Sequence, residues 1–404
     1  MADKTDLMLL PQSCNSALIL SEANTSLIAR GRREGSVLLL QKREPVCLAA
    51  VKINGKCGFI DKTGKFVINP QFDWAGDFSN GLARVREGDK FGFIEKSGQY
   101  VIDPQFDEVS DFSEGLASVE IDNKFGFIDR AGQIQISPQF DWDSKTPEFS
   151  EGLAAVKLGN KWGYIDTSGR FVIEPRFRLA SNFSEGVAQV WFDETAPERY
   201  SYIDKNGILI VQRQFEFVDA FRDELSAVRI GGKWGYIDRT EEFVIKPQFD
   251  MAWGFREGVA EVYVGGTIRK WGYIDKSGSF IINPDFDDAG SFVDGLAKVR
   301  VNGKYGFIDL RGRRVIGLEF DDVLYNFFRG GLPRVKIGNK YNFIDRAGKI
   351  VSDQEFDDTR SFEDGLAPVK VGDLKTGRWG FIDTKGKSVI DPQYQWVKRF
   401  RTAD

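Results

Sequence analysis

Carboxylates are the side chains in this sequence whose number and spacing could support chemistry. One acid follows an aromatic-Ile pair in each copy of a recurring triplet, as at Asp61, Glu95 and Asp129. Acids in such a row could bind metal ions, but they lack the Asp/Asn spacing of a calcium-binding loop. An Asp that begins a turn accepts hydrogen bonds from nearby backbone amides. We therefore expect these acids to hold turns.

Other groups that could act in catalysis lack the partners that catalysis needs. The acid pairs 287–288, 321–322 and 357–358 recur at one phase of the repeat, which favours a solvated turn over a glycosidase pair. The chain has no histidine, so a nucleophile such as Cys57 would need another base. Neither a phosphate-binding loop nor a nucleophile elbow occurs. The sequence predicts a protein that is not an enzyme and has no metal and no cofactor.

The recurring acid belongs to a unit that occurs ten times. The central isoleucine of the triplet returns at intervals of 34 to 38 residues, and a period of this length is typical of repeat architectures. We therefore expect one array instead of several globular domains. The ten isoleucines are Ile60, Ile94, Ile128, Ile165, Ile203, Ile237, Ile274, Ile308, Ile344 and Ile382.

Each unit has the pattern of short β-strands joined by tight turns. In residues 82–115, apolar and polar residues alternate at 83–86, and a second strand begins at Phe91. A Gly three residues after the acid in nine copies predicts a left-handed turn position, which Glu241 occupies in the other copy. The third strand should end at a Pro that seven copies share. We expect three antiparallel strands and a connector held by two aromatic residues.

Three motifs recur in these units: K-[WYF]-G-[YF]-I-D, G-x-[FV]-V-I-x-P-x-F-D and F-S-E-G-L-A. Together they resemble the bacterial WG-repeat family, also called KWG repeats, from about Leu48 to Phe400. The resemblance implies a β-rich repeat module without a particular substrate. Departures at Cys57, Ser201 and Asn342 indicate altered packing in three units. The match is closest at Trp162-Gly163, Trp234-Gly235, Trp271-Gly272 and Trp379-Gly380.

Ten units exceed the four to eight blades with which a propeller usually closes. We therefore expect an all-β fold in which residues 46–404 form an open superhelical, solenoid-like stack of about ten three-stranded antiparallel repeats. A closed propeller-like or toroidal ring, or two smaller rings, is the alternative. A single unit cannot bury its apolar face alone, so an excised copy should not fold.

Residues 1–45 lack the repeat and are predicted to form a separate N-terminal arm or cap. Residues 26–43 carry five basic residues, among them Arg30, Arg32 and Arg33, against one acid. Apolar runs occur before this stretch at 18–20 and within it at 37–40. The segment could cap the first unit, dock on an acidic protein surface, or bind RNA or an anionic membrane through its arginines. The sequence leaves all three interpretations open.

Composition indicates the cellular compartment and excludes some classes of partner. A net charge of -5 argues against nucleic acid as the main ligand, because phosphate binding needs clustered basic residues. Three unevenly spaced cysteines predict no disulfide framework and fit a reducing compartment. Residues 1–20 lack a basic start, so we expect no signal peptide and no membrane span. These features predict a cytoplasmic protein.

Tryptophans outside the WG motif are the candidates for partner binding. Trp74, Trp142 and Trp396 follow a connector aromatic by two residues and should project alike, and Trp253 is a fourth candidate. They could pack between units or form an exposed row for a protein or a sugar. We expect a scaffold or linker that presents a long surface to other proteins, with the N-terminal arm docked in a multi-subunit assembly. A carbohydrate- or envelope-binding module is the alternative.

Overall fold

A computed structural model describes residues 47–141, 146–192, 200–210, 215–324, 332–373 and 375–402. Every regular element in these residues is a β-strand, and all the strand pairs are antiparallel. The predicted all-β class is confirmed. The part of the chain that the structure describes contains no helix long and apolar enough to cross a membrane.

The strands form ten small sheets, or blades, in which the order of strands follows the chain. Blade 1 completes its sheet with strands from the end of the chain, and the bounds below are given blade by blade.

Blades 1 to 5 consist of β1 (Cys47–Ile53), β2 (Lys56–Ile60) and β3 (Phe66–Phe72); β4 (Trp74–Ser79), β5 (Leu82–Glu87), β6 (Lys90–Ile94) and β7 (Tyr100–Phe106); β8 (Glu108–Val109), β9 (Ala117–Ile121), β10 (Lys124–Ile128) and β11 (Ile134–Asp141); β12 (Phe149–Ser150), β13 (Leu153–Leu158), β14 (Lys161–Asp166) and β15 (Phe171–Phe177); and β16 (Leu179–Ala180), β17 (Ala188–Trp191) and β18 (Tyr200–Ile203).

Blades 6 to 10 consist of β19 (Phe217–Val218), β20 (Ser226–Ile230), β21 (Lys233–Ile237) and β22 (Phe243–Phe249); β23 (Met251–Ala252), β24 (Val259–Val264), β25 (Lys270–Asp275) and β26 (Phe280–Phe286); β27 (Asp288–Ala289), β28 (Leu296–Val301), β29 (Lys304–Asp309) and β30 (Arg314–Phe320); β31 (Asp322–Leu324), β32 (Arg334–Ile337) and β33 (Lys340–Phe343); and β34 (Asp358–Thr359), β35 (Leu366–Val371), β36 (Arg378–Asp383) and β37 (Ser388–Tyr394). Two strands follow, β38 (Trp396–Val397) and β39 (Arg401–Thr402).

The connector between units contributes a strand of its own. In blade 2, Trp74 pairs with Arg86 and Ala75 with Val85, so residues just after the connector aromatic begin the next sheet. Seven blades therefore have four strands in chain order, and the expected three-stranded unit was one strand short there. The pairing of Asp141 with Lys157 also joins blades 3 and 4 into one eight-stranded sheet.

The first and last units share a blade. β38 and β39 both pair with β1, with Val51 opposite Val397 and Leu48 opposite Arg401. The described residues form ten apolar clusters, each between two successive blades, and one joins blade 10 to blade 1. An open stack of ten blades would have nine such interfaces. The array is a closed, propeller-like ring, so the expected open superhelix is not what forms.

The glycine of the WG motif allows the third and fourth strands to approach closely. A Cβ atom at Gly92 would lie 2.5 Å from the carbonyl oxygen of Ile102, where the register between β6 and β7 shifts. Pro104 lies in this bulge, where the lack of a backbone N–H in proline does not cost a hydrogen bond between the strands. The strand continues to Phe106, so the prediction that it ends at the Pro was wrong.

Two blades in which the WG glycine is replaced pair differently. In blade 9, Asn342 donates hydrogen bonds from Nδ2 to the carbonyl oxygens of Ser352 (2.9 Å) and Gln354 (3.1 Å). The segment that follows β33 then makes only isolated bridges with it. Blade 5, with Ser201 at this position, likewise shows isolated bridges in its described residues. The altered packing expected at these two departures is confirmed.

The recurring acids hold turns, as the sequence predicts. Asp61 Oδ1 accepts hydrogen bonds from the amides of Thr63 (2.9 Å) and Lys65 (3.1 Å). Gly64 has φ 86°, and Glu241 adopts φ 66° at the equivalent place without a glycine. Because the same turn forms with and without the glycine, the acid and its amide partners are sufficient to hold it.

Candidate interaction site

One surface position can be compared around the whole ring. This rim position is the first residue of the first strand in a blade, and strand register sets it beside the second strand of the same blade. The equivalent residue of blade 4, Trp142, lies outside the described residues. In blades 1 to 3 and then 5 to 10, the rim residues are Trp396, Trp74, Glu108, Leu179, Phe217, Met251, Asp288, Asp322 and Asp358.

The first strands lie on the inner side of the ring. Loops that follow the first strands of blades 5 to 8 line a single cavity of about 610 Å³, with Asn182, Arg222, Arg256 and Val293 among its walls. Loops from four successive blades can share one cavity only where the blades converge. The first strands, each of which begins at the rim position, therefore lie nearest the centre of the ring.

Cations cover the rim tryptophans where the ring closes. The Arg360 guanidinium lies 4.9 Å from the ring centre of Trp379 and 5.7 Å from that of Trp396. Lys398 Nζ lies 5.3 Å from the Trp74 ring. Both rim tryptophans are half-buried. We call these five residues, which belong to blades 10, 1 and 2, the closure seam.

Blades 8 to 10 carry aspartates at the rim. Their carboxylates bind the backbone of their own strand, because Asp322 Oδ1 accepts from the Val323 amide at 2.8 Å and Asp358 Oδ1 from the Thr359 amide at 2.7 Å. Tyr305 donates its hydroxyl to Asp288 Oδ2 at 2.8 Å. Burial, together with this hydrogen bond, raises the pKa of Tyr305 to about 12. The acid pairs noted in the sequence are thus held in hydrogen bonds.

Blades 5 to 7 expose apolar side chains at the same position. Leu179 is 42% exposed, Phe217 40% and Met251 46%, and Trp253, two residues further along the chain, is 50% exposed. We call these four residues the apolar arc. Among the described cations, none lies over Phe217 or Trp253. In a ring of ten blades, the apolar arc lies directly across from the closure seam.

An aromatic ladder supports the apolar arc. Trp191 stacks on Tyr200, with ring centres 5.5 Å apart and planes inclined by 24°. Tyr200 lies 5.7 Å from Phe217, which lies 5.2 Å from Trp234. Half-buried aromatic side chains offer a large apolar area with little loss of conformational entropy on binding. The ladder makes the surface broad and rigid.

The residue just before the rim changes its charge in blade 5. In most blades it is an aspartate that pairs with the lysine of the preceding K-x-G motif; the Lys233–Asp250 pair, at 2.7 Å, lowers the pKa of Asp250. In blade 5 this residue is Arg178, whose guanidinium lies 4.4 Å from the Trp191 ring. The other pairs are Lys56–Asp73, Lys90–Asp107, Lys124–Asp141, Lys270–Asp287, Lys304–Asp321 and Lys340–Asp357.

The structure divides the residues that the sequence singled out. Trp253 is exposed, whereas Trp74 and Trp396 are half-buried and lie under cations. Trp142, Arg30, Arg32 and Arg33 lie outside the described residues. Sequence reasoning missed Leu179, Phe217, Met251 and Arg178. The available signal was that three successive copies carry a non-tryptophan apolar residue where other copies carry an acid or tryptophan.

The described cysteines do not form a reactive site. Cys57 is buried at the WG aromatic position, and burial raises the pKa of its thiol. Cys47 is disulfide-bonded.

Comparison with protein families assigns the chain to a class. The profile of the WG containing repeat family matches residues 58–91, 91–125, 125–162, 162–190, 200–234, 234–267, 271–305, 305–341, 343–374 and 379–402. The chain therefore belongs to the WG-repeat family, as the recurring motifs predicted. No curated protein matches it in sequence.

Solved structures of similar shape share the fold at low sequence identity. A structure described as the eukaryotic initiation factor is 12% identical, with a TM-score of 0.53, and the match covers 87% of this chain and 97% of that one. AztD from Citrobacter koseri is 14% identical, with a TM-score of 0.33 and coverage of 88% and 97%. BamB from Moraxella catarrhalis is 10% identical, with a TM-score of 0.33 and coverage of 74% and 94%. Only the first is close enough to support the β-repeat fold.

Proposed function

We propose that this protein is a non-enzymatic scaffold or linker that binds another protein through the apolar arc. The observation that carries the proposal is the exposure of four large apolar side chains on three successive blades. Contiguous exposed apolar surface on a folded protein is typical of interaction sites. The closed ring would then serve as a rigid support in a multi-subunit assembly.

The backbone that carries the apolar arc is held firmly. The amide of Trp253 donates to the carbonyl oxygen of Glu261 (3.2 Å), and its carbonyl oxygen accepts from the Tyr236 hydroxyl (2.8 Å). Ala252, between Met251 and Trp253, is buried in the cluster that joins blades 6 and 7. A site that is ordered before binding loses less conformational entropy when the partner docks.

The N-terminal arm is a second attachment point in this proposal. It joins the ring at Cys47, in blade 1, and the apolar arc lies across the ring in blades 5 to 7. Two attachments on opposite sides would let one molecule link two components of a complex. A cytoplasmic location stays a prediction.

The alternative of carbohydrate binding has less support. A sugar that stacks on Trp74 or Trp396 would have to displace Lys398 or Arg360 from the ring that each cation covers. Trp253 is the one exposed tryptophan among the predicted candidates that the structure describes. A single exposed tryptophan makes a poor sugar platform.

Affinity purification from the native cells, followed by mass spectrometry, tests the proposal. The full-length protein would be compared with Phe217→Ser/Trp253→Ala, which removes apolar area from the arc. The control is Val244→Ser/Val389→Ser, because these valines are 44% and 42% exposed on outer strands of blades 6 and 10. We expect a stoichiometric partner that is retained by the control and lost from the arc variant.

Two results would contradict the proposal. One is a monodisperse monomer without a stoichiometric partner in native lysate. The other is a partner that the wild type, the arc variant and the control all retain equally. Deletion of residues 1–45 in the same experiment separates the two attachments, since it should release only components bound through the arm.

A further inference from the structure

We infer that the partner segment bound by the apolar arc carries a carboxylate beside its apolar side chains, and that Arg178 binds this carboxylate. This inference rests on the proposed function, because it names the chemistry of the partner at the same surface. The geometry that carries it is the position of Arg178 at the end of the aromatic ladder.

The repeat itself shows that the charge at this place is unusual. Seven lysine–aspartate pairs occupy the equivalent position at other blade junctions, and Arg178 stands where the aspartate would be. Among the described residues, no carboxylate lies within 4.0 Å of the Arg178 guanidinium. The fold forms at seven other junctions with an acid at this position, so nothing in the architecture requires a cation here.

Among the described residues, none accepts a hydrogen bond from the Arg178 side chain. The guanidinium lies 4.4 Å from the centre of the Trp191 ring, and the residue is exposed. A guanidinium that stacks on an aromatic ring keeps its N–H donors in its own plane, directed away from the ring. Such a fork fits a carboxylate in a bidentate arrangement.

Apolar and charged contacts are continuous at this surface. Trp191 stacks on Tyr200, and Tyr200 contacts Phe217 of the apolar arc. Leu179 follows Arg178 directly in the chain and is also exposed. A protein segment with an acid next to large apolar residues would fill the arc and meet Arg178 at one end. The acid at the equivalent position of the next blade, Glu216, already pairs with Arg229 at 3.4 Å.

An acidic protein segment fits better than single-stranded nucleic acid. Nucleic acid could stack on the aromatic ladder, but it also needs several basic residues that follow its backbone. Here the protein carries a net charge of -5, and aspartates hold the rim from blade 8 to blade 10. One arginine beside a broad apolar surface matches one or two carboxylates.

Selection from a library of random displayed 12-residue peptides tests this inference on the full-length protein. Peptides enriched on the wild type would be measured by fluorescence polarisation against Arg178→Asp, Arg178→Lys and Phe217→Ser. Arg178→Asp introduces the residue that the other junctions carry, so it should fold. Arg311→Asp, an exposed turn residue in blade 8, makes the same change of charge away from the arc and is the control.

We expect enriched peptides that combine acidic with large apolar residues. The affinity of these peptides for Arg178→Asp should be about tenfold lower than for the wild type. The loss should be smaller for Arg178→Lys, which keeps the charge but not the planar guanidinium. Arg311→Asp should leave it unchanged. Raising the salt concentration should weaken binding to the wild type more than binding to Arg178→Asp.

Other outcomes would overturn the inference. Enriched peptides without acids, or acidic peptides that bind Arg178→Asp as well as the wild type, would refute the role of Arg178 while the loss of binding in Phe217→Ser upholds the arc as a docking surface. No enriched peptide, or peptides insensitive to Phe217→Ser, would count against the arc as well. A single-stranded 12-nucleotide RNA that binds more tightly than every selected peptide would favour nucleic acid instead.

Discussion

The closure seam and the apolar arc lie on opposite sides of one ring and use the same position of the repeat in different ways. At the seam the rim residues are tryptophans covered by Arg360 and Lys398. In the arc they are Leu179, Phe217 and Met251, without a covering cation in the described structure. The comparison shows that a repeat separates folding from binding: the buried positions recur in every blade, while one surface position is free to vary.

The largest expected effect is a loss of stability that tests whether the ring is closed. Phe400, in the apolar cluster that joins blade 10 to blade 1, and Phe255 in blade 7 occupy equivalent positions and are fully buried. Phe400 contacts Phe381, and Phe255 contacts Tyr236. Phe400→Ala and Phe255→Ala should each lower the free energy of unfolding by about 3–5 kcal/mol, because each leaves a cavity. Urea denaturation measures both. A cost below about 1 kcal/mol for Phe400→Ala alone would show that the ring is open in solution.

A smaller difference in the free energy of unfolding is expected between variants of Arg360 and Arg178, the two arginines that stack on tryptophan rings. Arg360→Met removes two cation–ring contacts and the hydrogen bond to the Val397 carbonyl oxygen. We expect a loss of about 1–3 kcal/mol in the free energy of unfolding. Arg178→Met should lower the free energy of unfolding by less than about 0.5 kcal/mol, since Arg178 is exposed. Equal losses from both variants would remove the distinction between seam and arc.

The arc should contribute to binding and little to stability. Trp253→Ala should change the free energy of unfolding by less than about 0.5–1 kcal/mol, because half of the side chain is already in water. It should also reduce the fluorescence of an apolar dye bound to the folded protein, while Val244→Ser leaves that signal unchanged. If Trp253→Ala destabilises the fold by more than about 2 kcal/mol, the tryptophan is a packing residue.

The smallest expected effect is a pH dependence of stability that comes from a buried acid near the apolar arc. Glu261, in blade 7, is buried and accepts a hydrogen bond from Ser291 Oγ at 2.7 Å. Burial raises the pKa of its carboxyl; Ser291 and Arg256 act in the opposite direction, and Asp219 raises it further. Glu363 in blade 10 has a pKa that is also raised by burial, but Arg399 and Arg401 pair with it.

The sign of the pH dependence follows from the direction of the Glu261 shift. A raised pKa means that the folded state binds the proton more tightly than the unfolded state. The free energy of unfolding should therefore fall as pH rises above the ordinary value of 4.5. Glu261→Gln should weaken this dependence in urea denaturation between pH 4 and pH 8. An unchanged pH profile would show that Glu261 does not contribute to it.

Local features of the fold were predictable from the sequence. The acid at the start of each turn, the left-handed Gly64 and its replacement by Glu241 depend on residues within a few positions of each other. The altered units at Ser201 and Asn342 were predictable too, because the side chain that replaces the WG glycine stands in the motif itself. The candidate site was less accessible. Only Trp253 of its four apolar residues was chosen, because exposure depends on which cation reaches across from the neighbouring blade.

The sequence by itself determined an all-β array of ten WG repeats, since strand alternation, turn residues and period are all local. Only the tertiary structure decided that the array closes, because the pairing of β38 and β39 with β1 joins residues more than three hundred positions apart. The difference between the closure seam and the apolar arc could not be predicted from the sequence for the same reason. Closure brings Arg360 and Lys398 onto Trp396 and Trp74, whereas blades 5 to 7 have no such cover in the described structure.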